Sequence, residues 1–364
     1  MNEEGGDDAR GDRRPGEGPA PLTGLVMPGN SQLTIYDVAR AAGVAPSTVS
    51  RALSKPGRVS YATAERVRQV AEEIGYRTGR MERAVSERGS GMLAIVVADI
   101  ANPVFFGMIR GAERAASERG FTMLVGESEE SEPAERAALD RLIPVVDGAV
   151  LGSSRMSDAA IRSFAKRKPV ILLNRTVSEV ASVVIDDIHA IKKATEHLTG
   201  LGHRSICYLA GPEASWVDGM RWRGLREAGL ELHLHVRRLG PFLPTLRGGA
   251  AAAQQWRQKP TTGVIAYNDL MAIGFVQAVT ADGWDVPGDV SVIGFDNIVD
   301  GTLVEPHLTT IAAPLVSLGS AAVARLVKSR SRDRAVSEEP VKLPARLVVR
   351  GSSGPRATRA RTAP

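Results

Sequence analysis

Cysteine is almost absent from this sequence, whose 364 residues include only Cys207. A single cysteine excludes an intrachain disulfide framework and a cysteine-ligated metal site. Cys207 lies in the apolar run Ser205–Ala210, which predicts a buried strand position. His233 and His235 alternate along the chain but have no further ligands nearby in the sequence, so they do not indicate a metal site. We therefore expect neither a metal nor another cofactor.

Long apolar segments are also missing, since no run approaches the roughly 18 residues of a membrane span. The N-terminus lacks a basic region followed by an apolar core. These two absences predict a cytoplasmic protein. They disfavour a secreted solute-binding receptor.

Enzyme motifs are absent as well. Gly152-Ser153-Ser154 does not continue into a Gly-x-Ser-x-Gly nucleophile turn. The sequence contains no Gly-x-x-x-x-Gly-Lys-Ser/Thr loop, and no dinucleotide-binding glycine cluster follows the first predicted strand. We therefore expect a binding protein and not an enzyme.

Composition divides the chain into ordered and unordered parts. With 43% hydrophobic and 24% charged residues, the sequence is typical of a globular protein of two or three domains. Residues 1–30 are rich in Gly, Pro and charged residues, which predicts a disordered tail, and residues 352–364 are predicted to form a second one. The net charge is +5, and the segment after residue 30 is basic, which suits contact with phosphates.

A short segment after the N-terminal tail has the pattern of two helices joined by a tight turn. Thr34 is placed to cap a first helix, with Asp37 completing a capping box, and Gly43 is placed to end it. A second helix is predicted from Pro46 to about Leu53, with small polar residues and one arginine facing outward. The pattern alone fits either a helix-turn-helix or an ordinary helical hairpin.

A third helix, predicted over residues 62–74, would close a small core with the first two. The helix-turn-helix, followed by Lys55-Pro-Gly-Arg-Val-Ser60 and by Ile74-Gly-Tyr76, resembles the DNA-binding headpiece of the LacI/GalR family of bacterial repressors. The similarity continues through nearly the whole chain after residue 33. It implies a helix-turn-helix domain over residues 31–76, a hinge over 77–90, and an effector-binding and dimerisation domain over 91–351.

The resemblance also implies which residues contact a pseudo-palindromic operator bound by a symmetric homodimer. Arg51 is the predicted base-reading residue, because its guanidinium fits the O6 and N7 acceptors of guanine. Ser47 and Pro46 occupy the neighbouring base-reading positions, and Pro46 can offer only apolar contact. Val85 matches the hinge residue that wedges into the minor groove, where relatives usually carry the longer Leu. The predicted phosphate contacts are Thr34, Thr48, Ser50 and Tyr76.

From Met92 onward, Val/Ile/Leu segments alternate with amphipathic helices, which predicts parallel sheets covered on both faces. A break near residues 174–182 suggests two similar α/β lobes. The resemblance implies a two-lobed periplasmic-binding-protein-like fold in which the chain crosses three times between lobes. On that basis lobe 1 is predicted to comprise residues 91–175 and 307–340, and lobe 2 residues 176–306 and 341–350.

Ligands of parallel sheets bind beyond the carboxyl ends of the strands. The loops predicted there contain carboxylates, amides, an arginine and aromatic rings, a set that suits a polyol. Each residue also has a structural interpretation: Asn102 could start a helix, Asp296 could cap a turn, and Trp216 could pack between lobes instead of stacking on a sugar. The positions that the resemblance or the strand-end rule assigns to the effector are Asn102, Phe105, Asp187, Ser215, Trp216, Arg221, Phe242, Asn268 and Asp296.

The sequence therefore predicts a DNA-binding transcriptional repressor that is controlled by a small molecule, most simply a sugar or sugar derivative, bound between two lobes. The family that this chain resembles includes a purine-binding member, which has Arg and Thr contacts at the positions of Ser215 and Val217. This difference disfavours a purine as the effector. Two alternatives remain at this point. One is a DNA-binding regulator controlled by a protein partner, and the other is a solute receptor without DNA function.

Overall fold

The computed structural model describes residues 34–54, 59–74, 89–330 and 339–356. They belong to two compact units, Met1–Ala84 and Val85–Pro364. The predicted N-terminal tail, most of the predicted hinge, and the two predicted DNA contacts Tyr76 and Val85 lie outside the described residues. No helix in the described ranges is long and apolar enough to cross a membrane.

Three helices form the first unit: α1 (Ile35–Ala42), α2 (Pro46–Ser54) and α3 (Tyr61–Glu73). The Asp37 carboxylate accepts hydrogen bonds from the Thr34 backbone N–H at 2.8 Å and from the Thr34 hydroxyl at 2.7 Å, which fixes the start of α1. Gly43 ends α1 with φ 66°, a left-handed conformation that glycine adopts without steric cost. The predicted cap and the predicted turn are both confirmed.

One small core holds these three helices together. It is built from Val38 on α1, Val49 on α2 and Val67 on α3, which are fully buried, with small alanines between them. The small side chains let three short helices pack closely, and we call this unit the headpiece.

Strands and helices alternate through the second unit. Its helices are α4 (Val104–Ser117), α5 (Glu132–Leu142), α6 (Asp158–Arg167), α7 (Asp187–Gly200), α8 (Trp216–Glu231), α9 (Leu246–Trp256), α10 (Asp269–Ala281) and α11 (Leu315–Ser329). Its strands are β1 (Met92–Val97), β2 (Thr122–Glu127), β3 (Ala149–Gly152), β4 (Val170–Leu173), β5 (Ser182–Ile185), β6 (Ser205–Leu209), β7 (His235–Leu239), β8 (Gly263–Ala266), β9 (Ser291–Phe295), β10 (Thr309–Ala312), β11 (Val341–Leu343) and β12 (Arg346–Val348).

The strands form two six-stranded sheets, one in each lobe. The lobe 1 sheet has the order β11-β5-β4-β3-β1-β2, and all its pairs are parallel. The lobe 2 sheet has the order β12-β10-β9-β8-β6-β7, and only β12 runs antiparallel to its neighbour. Cys207 is fully buried in β6, as predicted. The predicted fold class, two parallel-sheet α/β lobes with a small helical N-terminal domain, is confirmed.

The chain passes between the lobes three times, as expected, but at other residues than predicted. It leaves lobe 1 after β5, returns between β10 and α11, and leaves again between β11 and β12. The break over residues 174–182 is not a lobe boundary, because Val177 and Val180 pair in a short turn and are buried in the lobe 1 core. Strands β5 and β11 therefore belong to lobe 1, and β10 belongs to lobe 2, which corrects the predicted bounds.

The predicted C-terminal tail also needs correction, since residues 352–356 pack against lobe 2. Ser352 is fully buried; its hydroxyl accepts from the Thr309 N–H at 2.8 Å and donates to the Val292 carbonyl at 2.7 Å. His203 is buried beside this segment, with its Nε2 3.1 Å from the Gly354 carbonyl. These buried polar contacts hold the segment, which composition alone did not reveal.

Each lobe contains a pair of helices in which glycine allows close approach. In lobe 1, α4 packs against α11, and a Cβ atom at Gly319 would lie 2.0 Å from the Met108 carbonyl oxygen. In lobe 2, α9 packs against α10, and a Cβ atom at Gly249 would lie 2.1 Å from the Met271 carbonyl oxygen. The backbones therefore touch at positions where no other residue fits without movement.

Candidate ligand cleft and nucleic-acid interface

A cleft lies between the two lobes at the carboxyl ends of their strands. Its empty volume is about 370 Å³, part of which is open to solvent. Both lobes contribute side chains, because the loops that follow the parallel strands meet there. The lining residues are Asn102, Val104, Phe105, Met108, Glu130, Ser153, Arg155, Asn174, Val217, Arg221, Pro244, Tyr267, Asn268 and Asp296.

Five of the nine residues predicted for the effector line this cleft: Asn102, Phe105, Arg221, Asn268 and Asp296. The other four do not line it. Asp187 and Ser215 lie behind it, where they bond to the lining residues Arg221 and Tyr267. Trp216 and Phe242 pack against the hydrophobic core, and their neighbours Val217 and Pro244 reach the cleft instead.

Arg221 is the central charge of the cleft and is 3% exposed. Its Nε donates to Asp187 Oδ1 at 2.9 Å, its Nη2 lies 3.8 Å from Asp296 Oδ1, and its Nη1 donates to the Tyr267 carbonyl. The guanidinium carbon also lies 3.4 Å from the centre of the Phe295 ring. A buried guanidinium needs this many partners because leaving it unpaired would cost several kcal/mol.

Two opposing effects, burial and the charge of Arg221, act on the pKa of each of the two carboxyl groups beside Arg221. Burial raises the pKa of Asp296 well above its ordinary range, and Arg221 opposes that rise. Burial likewise raises the pKa of Asp187 against the pull of Arg221. Asp187 bonds directly to the guanidinium, whereas Asp296 stands farther away and faces the cleft. Of these two, Asp296 is therefore the carboxyl group available to a ligand.

The two predicted amides combine a structural role with their place in the cleft. Asn102 Oδ1 accepts from the Val104 N–H at 3.2 Å near the start of α4. Asn268 Oδ1 caps α10 by accepting from the Met271 N–H at 3.0 Å, and Asn268 Nδ2 donates to the Pro244 carbonyl at 3.0 Å. Each of these two side chains therefore both bonds to a helix N-terminus and lines the cleft.

The sequence reasoning missed three lining residues with charged or phenolic side chains: Glu130, Arg155 and Tyr267. Arg155, from lobe 1, donates its Nε to Glu130 Oε2 at 2.6 Å, and its guanidinium interacts across the cleft with the Tyr267 hydroxyl of lobe 2. That hydroxyl also lies 3.0 Å from Ser215 Oγ. Tyr267 directly follows β8, and Arg155 is three residues past β3, so the strand-end rule would have found both if extended by a few residues.

Backbone strain is concentrated at the cleft. Ser153, Asn174 and Asp296 have φ angles of 61°, 55° and 110°, in a region that side-chain-bearing residues rarely adopt. Asn174 is 6% exposed, and its Oδ1 has no hydrogen-bond partner among the described residues. Strained backbone and an unsatisfied buried acceptor are typical of a functional site, where a ligand supplies the missing contact.

The headpiece presents the polar face of α2 to solvent. Ser47, Ser50 and Arg51 are exposed on this helix, Pro46 and Thr48 are half-buried, and Thr34 is exposed at the start of α1. The apolar side of the same helix holds Val49 and Ala52 in the core. An exposed helix with an outward arginine and hydroxyls has the dimensions and chemistry to enter a DNA major groove.

Comparison with protein families gives matches for both units. Residues 34–79 match the family described as bacterial regulatory proteins, lacI family. Residues 195–353 match the family described as periplasmic binding protein-like domain. The first range includes the headpiece helices, and the second spans most of lobe 2 and parts of lobe 1.

Whole-chain relatives agree with these matches. The HTH-type transcriptional repressor CytR of Escherichia coli strain K12 is 34% identical over 330 residues, which cover 88% of this chain and 96% of the relative. The structure of the transcriptional regulator CelR in complex with cellobiose has a TM-score of 0.66 at 28% identity and covers 88% of this chain and 99% of its own. The lac repressor dimer bound to operator and the anti-inducer ONPF has a TM-score of 0.67 at 25% identity, covering 89% and 100%.

Proposed function

Since the chain belongs to the lacI family of bacterial regulatory proteins, we propose that it represses transcription by binding operator DNA as a homodimer, under the control of a small molecule held between its lobes. The chain is a DNA-binding transcriptional regulator. We propose that the controlling ligand is a sugar or sugar derivative. The main support for a small-molecule ligand is the cleft, which is lined by Arg221, Asp296 and Asn174, the last with its Oδ1 atom lacking a hydrogen-bond partner.

A sugar suits this cleft because its hydroxyl groups both donate and accept hydrogen bonds. Asp296 and Asn174 supply acceptors, and Arg221 fixes Asp296 from behind. Phe105 and Tyr267 add aromatic surface to the lining. The cellobiose bound by the CelR relative is a ligand of this chemical kind.

We further propose that the cleft binds its ligand without converting it. Its lining consists of carboxylates, amides, guanidinium groups, hydroxyls and apolar groups, with no His, Cys or Lys among the lining residues of the described chain. Binding would instead change the fit between the lobes and, through the dimer, the affinity for operator. A coupling of about 1–3 kcal/mol between the two sites would change operator affinity about 5–150-fold.

On the DNA side, Arg51 is the proposed base-reading residue and Ser47 its neighbour. Thr34, Thr48 and Ser50 are proposed phosphate contacts, which position the headpiece without specifying sequence. Pro46 is proposed to make an apolar contact, for example to a thymine methyl group.

The proposal is tested by titrating the full-length protein with an operator selected from random duplexes, and with random duplex as the reference. We expect Arg51→Ala to reduce the difference in binding free energy between operator and random duplex by about 1–3 kcal/mol, which lowers the operator-to-random affinity ratio. Arg40→Ala is the matched control: it removes the same charge from an exposed position of α1, and it should leave that ratio unchanged. If Arg51→Ala weakens binding to both duplexes equally, the base-reading role is wrong.

The cleft is tested in the same assay by screening sugars for their effect on operator binding. Asp296→Ala should abolish the response to an active sugar while operator affinity stays within about twofold of the wild type, because Asp296 lies outside the headpiece. A protein that binds operator but responds to no small molecule would instead support control by a protein partner. The absence of salt-dependent duplex binding would contradict the function as a whole.

A further inference from the structure

The two arginines that line the cleft are already paired with carboxylates. Arg221 bonds to Asp187 at 2.9 Å and lies 3.8 Å from Asp296. Arg155 bonds to Glu130 at 2.6 Å, with its own side chain 4% exposed. Both guanidinium groups therefore have their counter-charges in the protein before any ligand enters.

The nearby Arg175 does not supply a free cation either. It donates to the carbonyl oxygens of Ser154 and Met156 at 3.0 and 2.6 Å, and it forms an ion pair with Asp158 at 2.7 Å. Arg175 is not part of the lining. In the described part of the chain, the lining thus holds no cation without a carboxylate beside it.

Protonation of Asp296 alone does not reverse this balance. The ion pairs at the cleft join Arg155 and Arg221 to Glu130, Asp187 and Asp296. If Asp296 takes up a proton, Asp187 still neutralises Arg221 through its direct hydrogen bond. The cleft is then neutral, and with Asp296 ionised it is negative.

Helix N-termini, which commonly bind phosphate, are also occupied here. Near the start of α4 the Val104 N–H bonds to Asn102, and at α8 and α10 the Asp218 and Met271 N–H groups bond to Ser215 at 3.4 Å and to Asn268 at 3.0 Å. These three helices begin beside the cleft, and their own side chains take N–H groups that a phosphate would need.

What the cleft does leave unsatisfied are acceptors. Asn174 Oδ1 is buried without a partner, and Asp296 meets its nearest charged partner only at 3.8 Å. A ligand that donates O–H or N–H groups would satisfy both. A phosphate dianion would place acceptors against acceptors and negative charge against Glu130 and Asp296.

We infer that this cleft selects an uncharged ligand rich in hydrogen-bond donors, such as an unphosphorylated sugar, and excludes phosphate esters and other anions. The inference rests on the proposed function only in taking the cleft as the effector site. Glu130 and Asp296 are then the residues that determine specificity against anions.

Inorganic phosphate is the direct probe, tested by its effect on the thermal unfolding of the full-length protein at constant ionic strength. Glu130→Gln removes the carboxylate paired with the buried Arg155 guanidinium, so phosphate should bind this variant at least about tenfold more tightly than the wild type. The double variant Glu130→Gln with Arg155→Gln should lose this tighter binding of phosphate. Asp296→Asn leaves Arg221 paired with Asp187 but removes a negative charge from the lining, so it should show a smaller gain, and it serves if Glu130→Gln does not fold.

Glu132→Gln is the matched control, because it makes the same change in net charge but frees the surface residue Arg136, whose pair with Glu132 is exposed. The inference is overturned if phosphate stabilises the wild type as strongly as Glu130→Gln, or if Glu130→Gln and Glu132→Gln respond alike. It is equally overturned if D-ribose 5-phosphate or D-glucose 6-phosphate stabilises the wild type more than its parent sugar. These measurements involve no DNA, so a failure of the operator assay and a failure here are separate results.

Discussion

Asp269 is the residue whose burial has the clearest energetic consequence. It is fully buried at the start of α10, where Oδ1 accepts from the Thr310 hydroxyl at 2.6 Å and Oδ2 from the Ile298 N–H at 2.9 Å. Burial raises the pKa of Asp269 from 3.8 to about 7, although the two hydrogen bonds oppose the rise. Through its two hydrogen bonds, the carboxyl group ties the start of α10 to β10 and to the loop that carries Asp296.

This raised pKa predicts that the protein loses stability as pH rises from about 4 to about 7. In that window the folded protein retains a proton that the unfolded chain has released, so the free energy of unfolding falls by up to about 1.4 kcal/mol per pH unit from this group. Above pH 7 the contribution becomes constant. Asp269→Asn should remove this component, as measured by urea unfolding at pH 5 and pH 7.

Asp140→Asn is the control for this pH series, since Asp140 forms an exposed ion pair with Arg167 at 2.8 Å. Exposed pairs contribute little to stability, so this variant should keep the pH slope of the wild type. Equal slopes for the wild type and Asp269→Asn would show that Asp269 is ionised in the folded protein throughout.

At the scale of elements, the two helix pairs built on glycine set the spacing inside each lobe. α4 meets α11 at Gly319, and α9 meets α10 at Gly249, with a backbone carbonyl in each case where a Cβ atom would lie. Backbone atoms cannot move aside as the end of a flexible side chain can. The close approach is therefore sensitive to a single methyl group.

Gly319→Ala should accordingly destabilise the protein by about 1–3 kcal/mol, the usual cost of overpacking a well-packed contact. The effect is measured as a lower midpoint of urea unfolding. Gly219→Ala in α8 is the matched control with the opposite expected sign: Gly219 is exposed, with nothing near its missing Cβ atom, so alanine should stabilise the helix by about 0.5–1 kcal/mol. If both variants are stabilised, the two helices are not held in contact at Gly319.

The same glycines limit what the sequence could predict at this scale. The three headpiece helices and most of the strands follow from apolar periodicity and from residues such as Thr34 and Gly43. The sequence does not indicate helix α9, because consecutive Gly248 and Gly249 are typical of a loop, whereas here they allow contact with the Leu243 and Met271 carbonyl groups. Tertiary packing overrode the local preference.

The candidate site divides in a similar way. Asn102, Asn268 and Asp296 directly follow or nearly follow predicted strands, so the strand-end rule places them correctly at the cleft. The pairing of Arg155 with Glu130, 25 residues away in sequence, depends on how two loops meet in space. No local pattern encodes such a contact, and it could not be predicted.

At the scale of the whole effector-binding unit, the interaction of Arg155 with Tyr267 links the two lobes across the cleft. Arg155 is held in lobe 1 by Glu130 and by its own N–H, which donates to Glu135 at 2.8 Å. Tyr267 is held in lobe 2 by Ser215 and by Arg221. Two well-anchored side chains that meet across a cleft should be energetically coupled.

A double-mutant cycle with Arg155→Gln and Tyr267→Phe should give a coupling energy of about 0.5–3 kcal/mol in the free energy of unfolding. Tyr208→Phe supplies the control cycle, because the Tyr208 hydroxyl bonds to Asp218 at 2.9 Å and not to Arg155. That control pair should be additive within about 0.5 kcal/mol. Additivity of Arg155→Gln with Tyr267→Phe would contradict a link between the lobes at this point.

The three passages of the chain between the lobes have a consequence for biosynthesis. Strand β11 completes the lobe 1 sheet and β12 completes the lobe 2 sheet, so neither lobe has its full sheet until nearly the whole chain has been translated. The headpiece has its own core and emerges from the ribosome first. At about 5–20 residues per second, the delay between Glu73 and Val348 is on the order of 10–60 s. A chain released early therefore carries the part that binds DNA without the part that responds to a ligand.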